Sequence, residues 1–212
     1  MAPLIIFLSI ILAYLGNRVF APNPFDYSVA TAFIKTGLAV VFMLAVPVAI
    51  IKFWFKKNLS EFGLALPQNK KETLLLTGAV FLINLPIILF FSKQPDFQSY
   101  YGWANLDLLS GYAVIFMLLP AIYYFSEEFL FRGFLFLGIN QKPELKSYII
   151  TAVIFSLFHI GKPAAEIYYA FFFGLAACYL TQKSRSVLPA AVVHFALSVI
   201  LNLLIIYFVF GF

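Results

Sequence analysis

Long apolar runs separated by short polar stretches recur along the whole chain, at about 3–17, 29–51, 73–91, 109–140, 148–160, 167–181 and 188–210. Most are near the length at which a helix crosses the hydrocarbon core of a bilayer, and none has the two-residue alternation of a barrel strand. The pattern predicts an all-α, polytopic transmembrane helix bundle of about seven helices, or seven to eight depending on how the fourth run is counted. At about 1.5 Å per residue that run would be about 48 Å long, well beyond a core of roughly 30 Å, so it must tilt, bend or split. Pro120 is the expected break. The first run has the length of a signal sequence, but no positive residue precedes it and Arg18 follows it, so it is read as a retained helix. No polar block separates the runs, and residues 1–212 are read as a single integral membrane domain.

Composition agrees with this reading and excludes a soluble protein. The chain is 63% hydrophobic and 11% charged, with a mean hydropathy of +0.97, against roughly 25% charged in soluble domains. A net charge of +5 raises the question of nucleic acid, but the 14 Lys and Arg are scattered among short connections and form no stripe. No nucleic-acid partner is expected, and the partner to which the charges answer is the lipid bilayer. Lys52, Lys56, Lys57, Lys70 and Lys71 crowd the connection 52–72, whereas in 92–108 Lys93 is opposed by Asp96 and Asp107. The positive-inside rule makes 52–72 cytoplasmic. With seven helices the N-terminus is then cytoplasmic as well. Lys142, Lys146, Lys183 and Arg185 fall on that same side, and 160–166 with the C-terminus falls on the other. The single cysteine, Cys178, lies in an apolar run and is read as a packing residue. The aromatic residues are assigned mostly to lipid contact and helix packing, with Trp54 and Trp103 near the interfaces.

Polar chemistry interrupts the apolar runs in three places. Glu127 and Glu128, in Ser126-Glu127-Glu128-Phe129-Leu130-Phe131-Arg132-Gly133, lie within the fourth run. A charge at the bilayer centre costs at least about 2.5–3.5 kcal/mol, so such groups are paired, face a cavity, or do chemistry. At about 100° per residue Glu128 and Arg132 share a helix face, and Glu127 points about 100° away from Glu128. One carboxylate is neutralised and the other left over; alternatively, all three form one buried polar staple. The two histidines, His159 and His194, also sit in predicted helices, where each is either a packing residue or a member of a site. Measured from the lysine-rich connections, Glu127, His159 and His194 lie at depths of roughly 21, 18 and 14 Å, so one cavity in the cytoplasmic-to-middle part of the membrane is open to all three. A carboxylate with two imidazoles suits water activation, the carboxylate as general base and the imidazoles polarising a carbonyl or stabilising an oxyanion. Peptide-bond hydrolysis is the natural reaction. Lys162 and Glu166 are read first as an interfacial turn and helix start, and second as a gate beside the site.

At these residues the chain resembles the CPBP family of intramembrane proteases, which includes CAAX prenyl endopeptidases and bacteriocin self-immunity proteins. The resemblance covers about 109–205. Glu127, Glu128 and Arg132 match its Glu-Glu-x-x-x-Arg motif, and Phe155 with His159 matches Phe-x-x-x-His. His194 opens the third motif, usually His-x-x-x-Asn, but Ser198 stands at the fourth place. The resemblance implies an intramembrane endopeptidase, localised to a prokaryotic inner membrane. Its expected substrate is a membrane-anchored peptide, prenylated CAAX-type chains among the candidates, cut near the cytoplasmic side. It implies that Glu127 activates water with His159 and His194 assisting, and that Glu128 with Arg132 maintains the site; Phe155 and Ser198 support it. The family name says metalloprotease, and Glu127, His159 and His194 are an acceptable zinc set with an open position, although the same groups can hydrolyse without metal. A catalytically silent immunity or binding protein is the alternative, with the Ser198 departure as its support.

Overall fold

The computed structural model describes residues 2–19, 29–101, 113–140, 142 and 144–211, and among these the named elements are all helices. Helix α1 is Ala2–Tyr14, extended by a wider turn to Val19. Helix α2 starts at Val29–Ala39 and runs on through alternating wide and regular turns to Trp54. Then come α3 (Lys70–Ser92), the short α4 (Pro95–Tyr101), α5 (Ala113–Glu128), α6 (Leu145–Phe158), α7 (Ala164–Ser184) and α8 (Leu188–Phe210). Seven of the eight correspond to the seven apolar runs. Helix α4 has no counterpart among them, because seven residues cannot cross a bilayer and its sequence is polar and aromatic. Trp103 and Asp107 lie outside the described residues.

Four helices are long and apolar enough to span a membrane, at Ala30–Trp54, Lys70–Ser92, Ala164–Ser184 and Leu188–Phe210. Leu74, Leu75, Leu82, Ile83 and Phe90 of α3 are exposed, the expected state of a lipid-facing stripe, since lipid tails are as apolar as leucine. Helix α5 is the opposite. From Ser126 to Leu137 every residue is buried, so this segment is the axis about which the others pack.

The fourth run does not break at Pro120. The α-helix continues through that residue to Glu128, and the irregularity falls beyond it, where Phe129–Leu137 follow with π-type hydrogen bonding. A proline removes one N–H but can stay in a membrane helix when the surroundings support the backbone. A π-type segment widens the helix and re-aims its side chains, and such segments concentrate at functional sites. Here the change begins directly after the paired glutamates.

Two close approaches fix neighbours of that axis. At Gly133 an added Cβ would meet the carbonyl oxygen of Phe62 at 2.6 Å, so the single helical turn Leu59–Phe62 lies directly on the α5 extension. At Gly174 of α7 it would meet Ala152 Cα of α6 at 3.2 Å. The connections define the two ends of the bundle. Gln68 N–H donates to Ser184 O, Ser186 Oγ to Ala65 O and Val187 N–H to Gly63 O, so 52–69 and 184–187 share the lysine-rich end. At the other end lie the α3–α4 turn and the α6–α7 connection, with Lys93 against the Phe208 ring. Cys178 packs with Phe136, Leu137 and Tyr148, as expected of a core thiol.

Candidate functional site

Three elements bring the polar residues together. Helix α5 ends its regular part at Glu127 and Glu128, both buried; α6 ends on His159; and α8 carries His194 in its second turn. One side-chain ligand atom from each of Glu127, His159 and His194 lies within 4.8 Å of the others. The three residues that the sequence offered as the reactive set therefore converge, from three separate helices.

Glu128 and Arg132 are fully buried. Arg132 Nη1 donates to Glu128 Oε1 at 3.2 Å, and its Nε lies 3.1 Å from Oε2, which pairs the charges as the i,i+4 spacing implied. The guanidinium also lies 3.9 Å from the centroid of the Phe155 ring, a cation–π contact worth about 2 kcal/mol when desolvated. Glu128 does more than neutralise arginine. Its Oε1 also accepts from His194 Nδ1 at 2.7 Å, so the carboxylate orients one of the candidate imidazoles. The second imidazole is oriented from its own helix: His159 Nδ1 donates to the Phe155 carbonyl at 2.8 Å. Phe155 thus serves through both its ring and its backbone.

These contacts decide what the imidazoles offer. In each neutral ring the proton sits on Nδ1, where an acceptor waits, and Nε2 is left as the acceptor. In that state the rings can take a proton or bind a cation.

A donor set of two Nε2 atoms and a carboxylate, with each Nδ1 held by a carbonyl or carboxylate, is the outer arrangement seen around catalytic zinc. Glu127, His159 and His194 fit a divalent ion on that chemistry.

The histidines open into a cavity whose wall is largely aromatic, with Tyr124, Phe155 and Phe173 beside them. Tyr124 was hidden among the many aromatic residues assigned to packing. Three residues before Glu127 it falls on a neighbouring part of the same helix face, and its ring centroid is 4.3 Å from that of His194. Ser198, one turn beyond His194, lines the same cavity as Tyr124, and Asn202 donates to the Ser198 carbonyl at 2.7 Å. Lys162 and Glu166 also line the cavity, paired at 2.7 Å, with the Tyr101 hydroxyl donating to Glu166. They form the turn and helix start that the sequence suggested, and they line the cavity beside the histidines.

The rim lies at the end of the bundle away from the lysine-rich connections. Ile88 and Phe91 line the cavity from the last turns of α3, Tyr101 from α4 and Lys162 from the α6–α7 connection. The sequence depths gave a position near mid-membrane but not the end on which the cavity opens. The sequence reading placed the cut near the cytoplasmic side, and the cavity lining includes residues at the end of the bundle away from the lysine-rich connections.

Residues 109–200 match the family model described as type II CAAX prenyl endopeptidase Rce1-like. Over this segment the chain is similar to that family. It contains Glu127, Glu128, Arg132, Phe155, His159, His194 and Ser198, the whole set on which the resemblance was drawn. No curated protein and no solved structure matches the chain. The matched segment spans α5 to the middle of α8, while α1 to α4 complete an integral membrane bundle around it.

Proposed function

We propose that the chain is an intramembrane endopeptidase in which Glu127 activates the attacking water. The observation that carries this is the convergence of Glu127, His159 and His194 within 4.8 Å, beside a cavity, in a segment similar to the Rce1-like family. The substrate is a membrane-anchored peptide, with prenylated CAAX-type chains the class to test first. The membrane is a prokaryotic cell membrane, with the N-terminus and the lysine-rich end cytoplasmic, and the substrate enters past Tyr101, Lys162 and Glu166.

In the reaction a Glu127 oxygen takes a proton from water while the water oxygen bonds to the scissile carbonyl carbon. The carbonyl π pair moves onto its oxygen. When the tetrahedral intermediate collapses, the C–N bond breaks, and the departing nitrogen takes the proton that Glu127 holds. His194, fixed by Glu128, and His159, fixed by the Phe155 carbonyl, flank the water, and one Nε2 accepts its second hydrogen while the carboxylate takes the first. Exclusion of bulk water strengthens these interactions. A zinc ion held by Glu127, His159 and His194 would supply Lewis acidity at the same place.

The decisive experiment incubates purified protein in vesicles with farnesylated and unmodified membrane peptides, with and without a chelator, beside Glu127→Gln. Cleavage by the wild type and none by the variant is the expected result. Binding of these peptides without cleavage would favour the silent immunity reading, for which Ser198 in the place of asparagine is the supporting observation. Loss of cleavage on chelation, restored by zinc, would identify the three residues as ligands.

A further inference from the structure

Helix α4, too short to cross the membrane, lies along the cavity rim and is tied across it by a polar cluster. It folds back from the end of α3 through the turn at 92–95, where Gln94 N–H donates to Phe91 O at 2.9 Å and Pro95 has no N–H with which to extend the α3 ladder. Phe97 and Tyr101, one turn apart, both line the cavity. Phe97 is fully buried and stacks on Phe91 with ring centroids 4.6 Å apart, which anchors the start of α4 on α3. At the other end of α4 the Tyr101 hydroxyl reaches the opposite wall and donates to the Glu166 carboxylate, 2.9 and 2.7 Å from its two oxygens. Glu166 is buried in the first turn of α7 and paired with Lys162 at 2.7 Å, and Lys162 Nζ lies 6.0 Å from the centroid of the Tyr101 ring. Three elements meet at one carboxylate.

The two contacts on Glu166 differ in kind. Lys162 and Glu166 belong to one turn and helix start, four residues apart, so their ion pair stays whole wherever α4 lies. Tyr101 comes from 65 residues away in the chain, on a seven-residue helix too short to be stable without its packing partners. Parting Tyr101 from Glu166 leaves no uncompensated buried charge, and the neutral hydroxyl can take water at the rim. The large penalty for breaking a buried ion pair is thereby avoided. We infer that α4 is a lid on the cavity, hinged at 92–95 and latched by the Tyr101 hydroxyl on Glu166, with Lys162 holding that carboxylate in place, and that the latch parts to admit substrate. The inference deepens the endopeptidase reading, because it concerns access to the same site. A peptide bound for Glu127 passes Tyr101, so its apparent affinity scales with the fraction of molecules in which the latch is open.

The test reads access directly, in lipid nanodiscs whose two faces are both open to a small charged methanethiosulfonate. Reporters are Leu197→Cys and, separately, Leu201→Cys, two buried positions that line the cavity, each on the Cys178→Ala background. Tyr101→Phe keeps the ring beside Lys162 and removes only the latching hydroxyl. It should raise the labelling rate of both reporters about tenfold, the worth of one hydrogen bond to a charged group. Native Cys178, buried outside the cavity, should stay as unreactive in Tyr101→Phe as in the wild type. In a second arm, Tyr101→Cys is joined to Glu166→Cys by a short bifunctional methanethiosulfonate, again on Cys178→Ala. The joined protein should cease to cleave a fluorescence-quenched farnesylated peptide, and a reductant should restore cleavage. Reporter rates unmoved by Tyr101→Phe overturn the lid, as does full cleavage by the joined protein. Equal acceleration at Cys178 also overturns it, because the bundle as a whole has then loosened. A wild type that cleaves no peptide, while its reporters respond to Tyr101→Phe and Cys178 does not, overturns the endopeptidase reading and leaves the lid standing.

Discussion

At the residue scale the paired glutamates divide the work by what each touches. Glu127 keeps its place near the two imidazoles, whereas Glu128 is bound to Arg132 and His194. Glu127→Gln is nearly isosteric and cannot accept a proton as a base, so it should fold as the wild type does and lose cleavage; full proteolysis by that variant would remove Glu127 from the mechanism. His159→Ala and His194→Ala should each lower kcat/KM by on the order of 10²-fold or more. Glu128 predicts a mixed outcome. Removing it leaves Arg132 as an uncompensated buried charge, a loss of about 3–5 kcal/mol, and also frees the His194 ring. Glu128→Ala and Arg132→Ala should therefore both lower the Tm, and the double variant should lose less than the sum, because the two act as a pair. The double variant should nonetheless stay inactive, since His194 is still without its partner. Recovery of activity in the double variant would show that the Glu128–His194 bond is dispensable.

At the scale of elements, two glycines mark where backbone geometry is demanding. Gly133 lies 2.6 Å, by an added Cβ, from the Phe62 carbonyl. Backbone cannot step aside as a side chain can, so Gly133→Ala should cost about 1–3 kcal/mol of stability and loosen the 59–62 turn, measured by Tm and by proteolytic nicking near Asn58. Gly161 is left-handed at φ +97° and turns the chain between His159 and Lys162, so an alanine there strains the turn that ends α6 on its histidine. Hydropathy made the seven long elements legible, because a membrane helix must satisfy its own backbone and carry an apolar surface. The spacing of Glu128 and Arg132 showed their pairing for a similar reason, the helical period alone. Pro120 misled because its local rule ignores the packing that supports the backbone, and α4 escaped because seven residues leave too little periodicity. Tyr124 and the His194–Glu128 bond were invisible for a deeper reason. Both join helices far apart in the chain, and the rotation of one helix against another is set by packing that no single segment encodes.

At the scale of the whole molecule, charge and cavity point in opposite directions along the bundle. Lys56, Lys57, Lys70, Lys71, Lys142, Lys146, Lys183 and Arg185 lie in or beside connections at one end, two of which are tied directly by the hydrogen bonds between 63–68 and 184–187. Lys93, Asp96, Lys162 and Glu166 lie at the other, where the cavity rim is. Orientation should follow the lysine excess, so the rim should face away from the cytoplasm. The consequence is open to direct test in right-side-out vesicles made from cells expressing the Cys178→Ala background with single cysteines. A cysteine at Lys57, Lys142 or Lys183 should resist a membrane-impermeant maleimide until the vesicles are opened, whereas one at Asp96 should react at once. Lys162→Cys should behave like Asp96→Cys, more slowly because its side chain is only 29% exposed, and a bulky adduct there should block cleavage from that side. Reaction of the Lys57 and Lys183 cysteines in sealed vesicles, with the Asp96 and Lys162 positions protected, would invert the molecule and turn its cavity to the cytoplasm. Labelling of Lys57 and Lys162 positions from one side would contradict the bundle itself, since α3 and α6 carry the chain from one of those ends to the other.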